Sequence, residues 1–421
     1  MTAYLRRDNK NVFLVLVEYL LAFFIVLDCN SVYANLVNSP YNLQKMSLGL
    51  SVALIGIICW NNRLDWRKII GLGWYPAILV AAWAIILLFF ITISEGFFGS
   101  YVKYFVLFLP VSIILFKLYR YLAMDYRLFF RVSDILVILS LMSLVIWFLS
   151  AVLGVIHPNK VIQSLWGPMK EINSFWGLQF LRPEQQEVIG FLNILLYRNI
   201  GLYPESPMFD IVLLLAFFTE LFLGENRKKG RIILFFITIV STFGTLAIIL
   251  AVTGVFLKAY MKFRDDPRFK YFSYLMILCL FIVVAALFYY KKRYGMGSYS
   301  THWDDLVACF KAWKTSPIFG TGFENNNIIQ SFMSEFRKWN RGYTTSAGAV
   351  LAHGGFTLMG VYVVPFIQIL KINNIKANMN EALFGLLLFI VFITFIFTYR
   401  FLMLWLLAFG YSKMKWCQRE L

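Results

Sequence analysis

Ionisable side chains stand close together in two polar segments of the chain, in a pattern that suits proton and group transfer. The first segment ends in RNIGLYPESP over residues 198–207, and the second contains THWDD over residues 301–305. A carboxylate or a neutral imidazole can take the proton of an attacking hydroxyl, so Glu205, His302 and Asp305 are candidate catalytic groups. Because His302 and Asp305 are three residues apart, a helix places both on one face. The alternative is that the acidic residues only offset the dipole of that helix.

Basic residues in and near these segments are candidates for binding an anionic substrate. Positioned cations stabilise the charge on a departing group, most strongly where water is excluded. Arg198 is the strongest candidate, because Gly201 and Glu205 follow it at the boundary between a polar segment and an apolar run. The other substrate-binding candidates are Arg182, Arg293, Lys292, Arg400, His353 and Lys103.

Several of these residues also have a purely structural interpretation. Arg198 can form an ion pair with Glu205 that serves only the fold. Lys292 and Arg293 follow an apolar run, and basic side chains there commonly extend to the membrane interface. His353 is predicted to lie within a membrane span, where an ionisable residue is a functional candidate. The two glycines that follow it equally favour close helix packing around a neutral histidine.

Composition identifies a membrane protein. Of 421 residues, 60% are hydrophobic and 14% are charged, and the mean hydropathy is +0.70, which excludes a soluble enzyme. The net charge of +17 is the excess that cytoplasmic loops of a membrane protein carry, so no nucleic-acid partner is implied. The five cysteines are scattered, and GxxxxGK[ST], HExxH and GxSxG do not occur. We therefore expect no metal and no cofactor.

Apolar runs of roughly 20 residues predict membrane-spanning helices. Eight single spans are predicted at residues 12–27, 46–60, 74–93, 104–118, 135–156, 208–223, 272–289 and 348–370. Two longer runs, 232–261 and 382–411, are strongly basic at both ends, and both ends of a run belong in the cytoplasm only if the run is a hairpin. Outer turns are predicted at residues 241–245 and 398–400. The total is about twelve spans, with both termini cytoplasmic.

This topology divides the chain into five parts. Residues 1–156 form transmembrane helices 1–5, and 157–207 form the first large external loop. Residues 208–290 form helices 6–9, and 291–343 form the second large external loop. Residues 344–421 form helices 10–12 and a cytoplasmic tail. The predicted fold is an all-α polytopic membrane protein.

Both external loops are predicted to contain short amphipathic helices. In the first, aromatic residues alternate with polar ones at Trp166, Phe175, Trp176 and Phe180, as in helices that lie at a membrane interface. In the second, Thr301 and Asp304 resemble a capping box, and Leu306, Phe310 and Trp313 would share one apolar face. Residues 316–322, SPIFGTG, are expected to end that helix.

With these motifs the chain resembles the O-antigen polymerase and ligase superfamily, the Wzy-like proteins, whose members are bacterial enzymes with about twelve spans and large external loops. Their first loop ends in an Arg-x-x-Gly-aromatic motif followed by Glu, as at Arg198 and Glu205. Their second loop has a basic residue one short helix before Pro-x-x-Gly-x-Gly, as at residues 317–322. Here His302 stands where many relatives have Arg, and residues 344–345 are Thr-Thr where ligase-like members have His-Asn.

The resemblance implies a polysaccharide polymerase, a glycosyltransferase of the bacterial inner membrane. It would transfer an oligosaccharide from an undecaprenyl diphosphate donor to a second lipid-linked repeat unit, and its partners would include a chain-length regulator. Arg198 would bind the diphosphate with Arg293 and Arg400, and Glu205 or His302 would engage the acceptor. The alternatives are an O-antigen ligase and a twelve-helix secondary transporter or flippase. A transporter usually shows repeat-related halves and polar sites at the membrane midplane.

Overall fold

Helices make up most of the computed structural model. It describes residues 12–36, 42–64, 77–78, 80–85, 98–164, 170–183, 186–189, 194–224, 229–263, 298–337, 342–371 and 378–414, with isolated positions 266, 271, 273, 274, 278, 281, 282, 285, 289 and 375. Lys292, Arg293 and Trp166 lie outside these residues, as do most of the predicted spans 74–93 and 272–289.

Six helices among the described residues are long and apolar enough to cross a membrane. These are α2 (Leu43–Asn61), α3 (Phe98–Tyr121), α4 (Arg127–Val152), α5 (Ser206–Leu223), α7 (Thr245–Phe263) and α10 (Ser346–Ile369). Shorter apolar helices accompany them: α1 (Val12–Asp28), α6 (Lys229–Ser241), α11 (Met379–Thr394) and α12 (Phe401–Ser412). The helices α5 and α12 are buried along nearly their whole length, so they form the centre of the bundle.

Both long apolar runs are divided where the sequence predicts a turn. The first run separates into α6 and α7 around residues 242–244. The second separates into α11 and α12, joined by residues 395–400. Each run is too long for one crossing, and small or polar residues interrupt the helix where the chain reverses.

The two predicted external loops, residues 157–207 and 291–343, are called here the first and second outer segments. The described residues of the first outer segment contain strands, so the prediction of short amphipathic helices there is wrong. Strands β1 (Lys160–Ser164), β2 (Lys170–Phe175) and β3 (Gln179–Leu181) form an antiparallel sheet in that order, and β4 (Gln186–Ile189) pairs with β5 (Ile194–Tyr197). Ile172 and Ser174 are buried, whereas Glu171 is exposed. Alternation of aromatic and polar residues with a period of two marks a half-buried strand, not a helix.

The second outer segment contains the predicted helix, α8 (Ser298–Thr315), but with a different start and a different buried face. Thr301 lies inside α8, so it is not the capping residue. Ala308, Cys309 and Ala312 are buried, whereas Leu306 and Phe310 are 49% and 48% exposed. Small residues let helices approach closely, and the large apolar side chains of a membrane protein can face lipid instead. The helix packs against α10 and against the short helix α9 (Asn326–Ser331).

A break in α10 receives the turn that follows α8. Gly355 has φ 59° and ψ −155° inside α10, and Gly320 has φ 75°. A Cβ on Gly320 would lie 2.3 Å from the Gly354 nitrogen, and one on Gly355 would lie 2.4 Å from the Ile318 carbonyl oxygen. Only glycine tolerates both the left-handed backbone and this close approach.

An ionic network joins the helices at the end opposite the outer segments. Glu18 is fully buried and pairs with Arg127 at 2.7 Å and with Arg131 at 3.0 Å. Arg231 pairs with Glu220 at 2.9 Å. Buried charges are tolerated when each has a partner, so these contacts fix how α1, α4, α5 and α6 meet.

Candidate active site

One cavity of about 580 Å³ is bordered by both outer segments and by the connection between α11 and α12. Such a volume is typical of a small-molecule site. Its acidic, basic and histidine lining residues are Arg198, Glu205, Asp210, His302, Glu324, Arg337 and Arg400. Four predicted site residues, Arg198, Glu205, His302 and Arg400, therefore meet at one place although up to 202 positions separate them in the sequence (400 − 198).

Arg198 is held beside the cavity by the fully buried residue that follows it. The Asn199 side-chain oxygen accepts hydrogen bonds from Ser143 at 2.6 Å and from Gln179 at 3.0 Å, and its amide donates to Ser241 at 2.9 Å. Buried polar groups that are fully paired rigidify their surroundings. Burial lowers the pKa of the Arg198 guanidinium, and the nearby Asp210 carboxyl opposes that shift.

Glu205 forms an ion pair with Arg182, at 2.6 Å, and its charge also acts on the Arg198 guanidinium. The Arg182 side chain is 9% exposed, that of Glu205 is 21% exposed, and Arg182 is not among the lining residues of the cavity. Arg182 thus orients a carboxylate that lines the cavity, and its role as a direct substrate ligand stays a prediction.

Two further lining carboxyl groups were not selected from the sequence. Asp210, in α5, is 1% exposed and accepts a hydrogen bond from the Thr242 hydroxyl at 2.7 Å. Glu324 has a left-handed backbone, with φ 57°, which is a strained conformation that often marks a functional position. Burial raises the pKa of Glu324, whereas a hydrogen bond from Ser100 and the nearby charge of Lys103 oppose that rise.

Arg400 enters the cavity from the residue that precedes α12. Its Nη2 atom donates to the Asn35 side-chain oxygen at 3.2 Å. The next residue, Phe401, donates its backbone N–H to the buried Asp28 carboxylate at 2.7 Å. A carboxylate at a helix N-terminus is favourable, so Asp28 fixes the start of α12 and with it the position of Arg400.

His302 belongs to a chain of hydrogen bonds at the cavity wall. Its Nδ1 atom is 2.7 Å from the Thr344 hydroxyl oxygen, and Thr344 donates to Asp305 at 2.8 Å. Arg337 donates to the other oxygen of Asp305 at 2.6 Å. Asp305 is fully buried. Burial raises its pKa, and the hydrogen bonds from Arg337 and Thr344 oppose that rise.

His353 and Lys103 lie next to the cavity and contact it through tyrosines. His353 is fully buried, and its Nδ1 atom is 2.7 Å from the hydroxyl of Tyr399. The Lys103 ammonium lies 4.3 Å from the centre of the Tyr104 ring. Tyr104 and Tyr399 both line the cavity. Lys103 and Tyr104 are in the π-helical part of α3, Val102–Phe108, and such irregular turns frequently occur at functional sites.

The sequence contains a signal for Glu324 but none for Arg337. Glu324 lies two residues after the glycine turn at residues 317–322. Arg337 and Asp305 are 32 residues apart, on two elements whose contact no local pattern predicts.

Among the residues that the structure describes, no cluster of three or more His, Cys, Asp or Glu side chains could hold a metal ion. Guanidinium cations, carboxyl groups, one exposed imidazole and tyrosine rings line the cavity. No family model matches the chain, and no curated protein matches its sequence.

Proposed function

We propose that this chain is a polysaccharide polymerase of the bacterial inner membrane. In this proposal it transfers an oligosaccharide from undecaprenyl diphosphate to a sugar hydroxyl on a second lipid-linked repeat unit, and so extends an O-antigen, capsule or exopolysaccharide. Twelve spans, with both termini in the cytoplasm, would leave the cavity on the outer face of the membrane.

The observation that carries the proposal is the meeting of cations and proton acceptors from both outer segments at one cavity. Arg198 and Glu205 come from the first segment, His302 comes from the second, and Arg400 comes from the connection between α11 and α12. Glycosyl transfer from a lipid diphosphate needs both kinds of group in one site, because an anion departs while a hydroxyl loses its proton.

The arginines supply the binding of the diphosphate. A guanidinium presents paired N–H donors that match phosphate oxygens. Arg198 and Arg400 would hold the diphosphate of the donor while the bond between its oxygen and the anomeric carbon breaks and the electron pair leaves with the diphosphate. The acceptor oxygen forms the new bond to that carbon, and Glu205 or His302 takes its proton.

Reconstitution tests the proposal directly. The purified protein in lipid vesicles, supplied with a lipid-diphosphate oligosaccharide, is expected to produce a ladder of lipid-linked products that differ by one repeat unit. Product lengths are read by gel electrophoresis and mass spectrometry. Transfer of one finished block to a different lipid acceptor would assign a ligase. Solute counterflow without formation of a new bond would contradict an enzyme and assign a transporter.

A further inference from the structure

The hydrogen bonds around His302 determine which of its ring nitrogens carries a proton. A threonine hydroxyl has one hydrogen, and a carboxylate only accepts. Thr344 donates its hydrogen to Asp305 at 2.8 Å, so it must accept at its contact with His302. The Nδ1 atom of His302, 2.7 Å away, is therefore the donor. A neutral imidazole with a proton on Nδ1 has its basic lone pair on Nε2.

Arg337 fixes the position of the Asp305 carboxylate, which in turn orients Thr344. Arg337 is 3% exposed and donates to Asp305 at 2.6 Å. It also donates to the Thr301 backbone oxygen at 3.1 Å, one residue before His302. Arg337 thus holds both the charge of Asp305 and the turn of α8 that presents the imidazole.

The other candidate bases are occupied or inaccessible. Glu205 forms a 2.6 Å ion pair with Arg182, so its carboxylate is already engaged by a cation. Asp305 is fully buried and does not line the cavity. His302 is exposed and lines the cavity.

We propose that His302 Nε2 is the general base of the transfer, and that Thr344 and Asp305 are positioning residues that hold its Nδ1 proton. This assignment rests on the proposed function. The acceptor hydroxyl would give its proton to Nε2 as its oxygen bonds to the anomeric carbon, and the imidazolium would later release that proton to water. Asp305 stabilises the imidazolium through Thr344 and keeps its own charge.

Other charged groups face the imidazole across the cavity or from the adjoining elements. They are Asp304 and Asp305 on α8, Arg337, Arg198, Glu205, Asp210, Glu324 and Arg400. The arginines disfavour the imidazolium, and the carboxylates favour it. Asp305 is connected to the ring by hydrogen bonds through Thr344.

The tautomer is tested without any activity measurement. Protein labelled with ¹⁵N-histidine and placed in lipid nanodiscs is expected to show His302 protonated on Nδ1 in its neutral form, with the signal assigned by its loss in His302→Gln. Thr344→Val is expected to abolish that preference, and Thr344→Ser is expected to restore it. A neutral His302 protonated on Nε2 would overturn the relay, whatever the activity of the protein.

The base is tested by the pH dependence of polymerisation. A positioned general base contributes roughly 10²–10⁴-fold in rate, so His302→Gln is expected to lose that much and His302→Arg to be no better. Thr344→Val is expected to move the acidic limb of the pH–rate profile to lower pH, because the imidazolium loses its link to Asp305. Thr344→Ser should keep the limb in place, as should Thr315→Val, which removes a hydroxyl at the far end of α8.

Three results would overturn the assignment. The first is a wild-type rate in His302→Arg, and the second is a pH–rate profile whose acidic limb is unchanged in Thr344→Val. The third is an acidic limb that is still present in His302→Gln but absent in Glu324→Gln. A wild-type protein that transfers no sugar from any lipid diphosphate would instead refute the proposed function. The nitrogen spectra would still decide the relay independently.

Discussion

Replacing Arg198 with alanine removes one of the two cations to which the proposed function assigns the diphosphate. Of the three lining arginines, Arg337 donates to Asp305, and the proposal assigns the diphosphate to Arg198 and Arg400. The described hydrogen bond from the Arg198 guanidinium to Ser206 is long, at 3.4 Å, so a phosphate oxygen can compete for it. In the variant, the nearby Asp210 carboxyl would act on the substrate without the opposing charge of Arg198.

The expected loss follows from the interaction of positioned charges. Two unit charges 4 Å apart interact by about 4 kcal/mol at an effective dielectric constant near 20. Loss of one preorganised donor to a developing anion typically costs about 2.7–4 kcal/mol, or about 10²–10³-fold in rate. We therefore expect Arg198→Ala to slow chain extension by about 10²–10³-fold, and Arg198→Lys, which keeps the charge but not the paired donors, to lose less.

The assay is the initial rate of donor consumption in vesicles, measured with the distribution of product lengths. Arg120→Ala is the matched control, because Arg120 pairs with Asp125 where the two side chains are 30% and 32% exposed, away from the cavity lining. It should retain the wild-type rate. Thermal unfolding in detergent checks that both variants are folded. A folded Arg198→Ala protein with the wild-type rate would refute the assigned binding of the diphosphate.

Three further predictions concern stability. Gly355→Ala forces an alanine into a positive-φ conformation that is essentially reserved for glycine, at about 1–3 kcal/mol, and adds a Cβ 2.4 Å from a carbonyl oxygen, so its unfolding temperature should fall. Gly56→Ala, which has nothing within 4 Å of the new Cβ, should be neutral or stabilising. Glu18→Gln removes the buried carboxylate that pairs with Arg127 and Arg131 and should lower the free energy of unfolding by about 3–5 kcal/mol, measured by denaturant titration in detergent. A change below about 1 kcal/mol would contradict a stabilising role for the network. Burial raises the pKa of Glu324 above its ordinary 4.5, so the folded state binds more protons than the unfolded state. The free energy of unfolding should therefore fall as the pH rises through the interval between 4.5 and the raised value. Glu324→Gln should make the free energy of unfolding less dependent on pH across that interval, and an unchanged slope would contradict this assignment.

The parts of the fold that follow from local signals could be predicted from the sequence. The sequence predicts turns at residues 241–245 and 398–400 because basic residues flank both long apolar runs. If both ends of such a run are cytoplasmic, the run must cross the membrane an even number of times. The gathering of Arg198, His302 and Arg400 also followed from topology, since segments assigned to one side of a membrane can meet there.

The parts that depend on distant contacts could not be predicted. The pairing of Glu205 with Arg182 depends on how the strands of the first outer segment fold back, and the sequence predicts helices where the structure has those strands. The large apolar side chains of α8 predict one buried face for this helix, whereas the structure buries the face that carries Ala308 and Ala312. In a membrane protein, large apolar residues can face lipid, so size does not reveal the buried side of a helix.

The insertion of the glycine turn into α10 has a mechanical consequence. Backbone hydrogen bonds join Thr321 N to Ala352 O at 2.9 Å and Phe356 N to Pro317 O at 2.9 Å, on either side of the break. The turn and α10 therefore move as one rigid unit, and α8, packed on the same helix, is carried with them. If the entrance to the cavity must widen, this side stays fixed, and the movement has to come from other lining segments, such as residues 243–247.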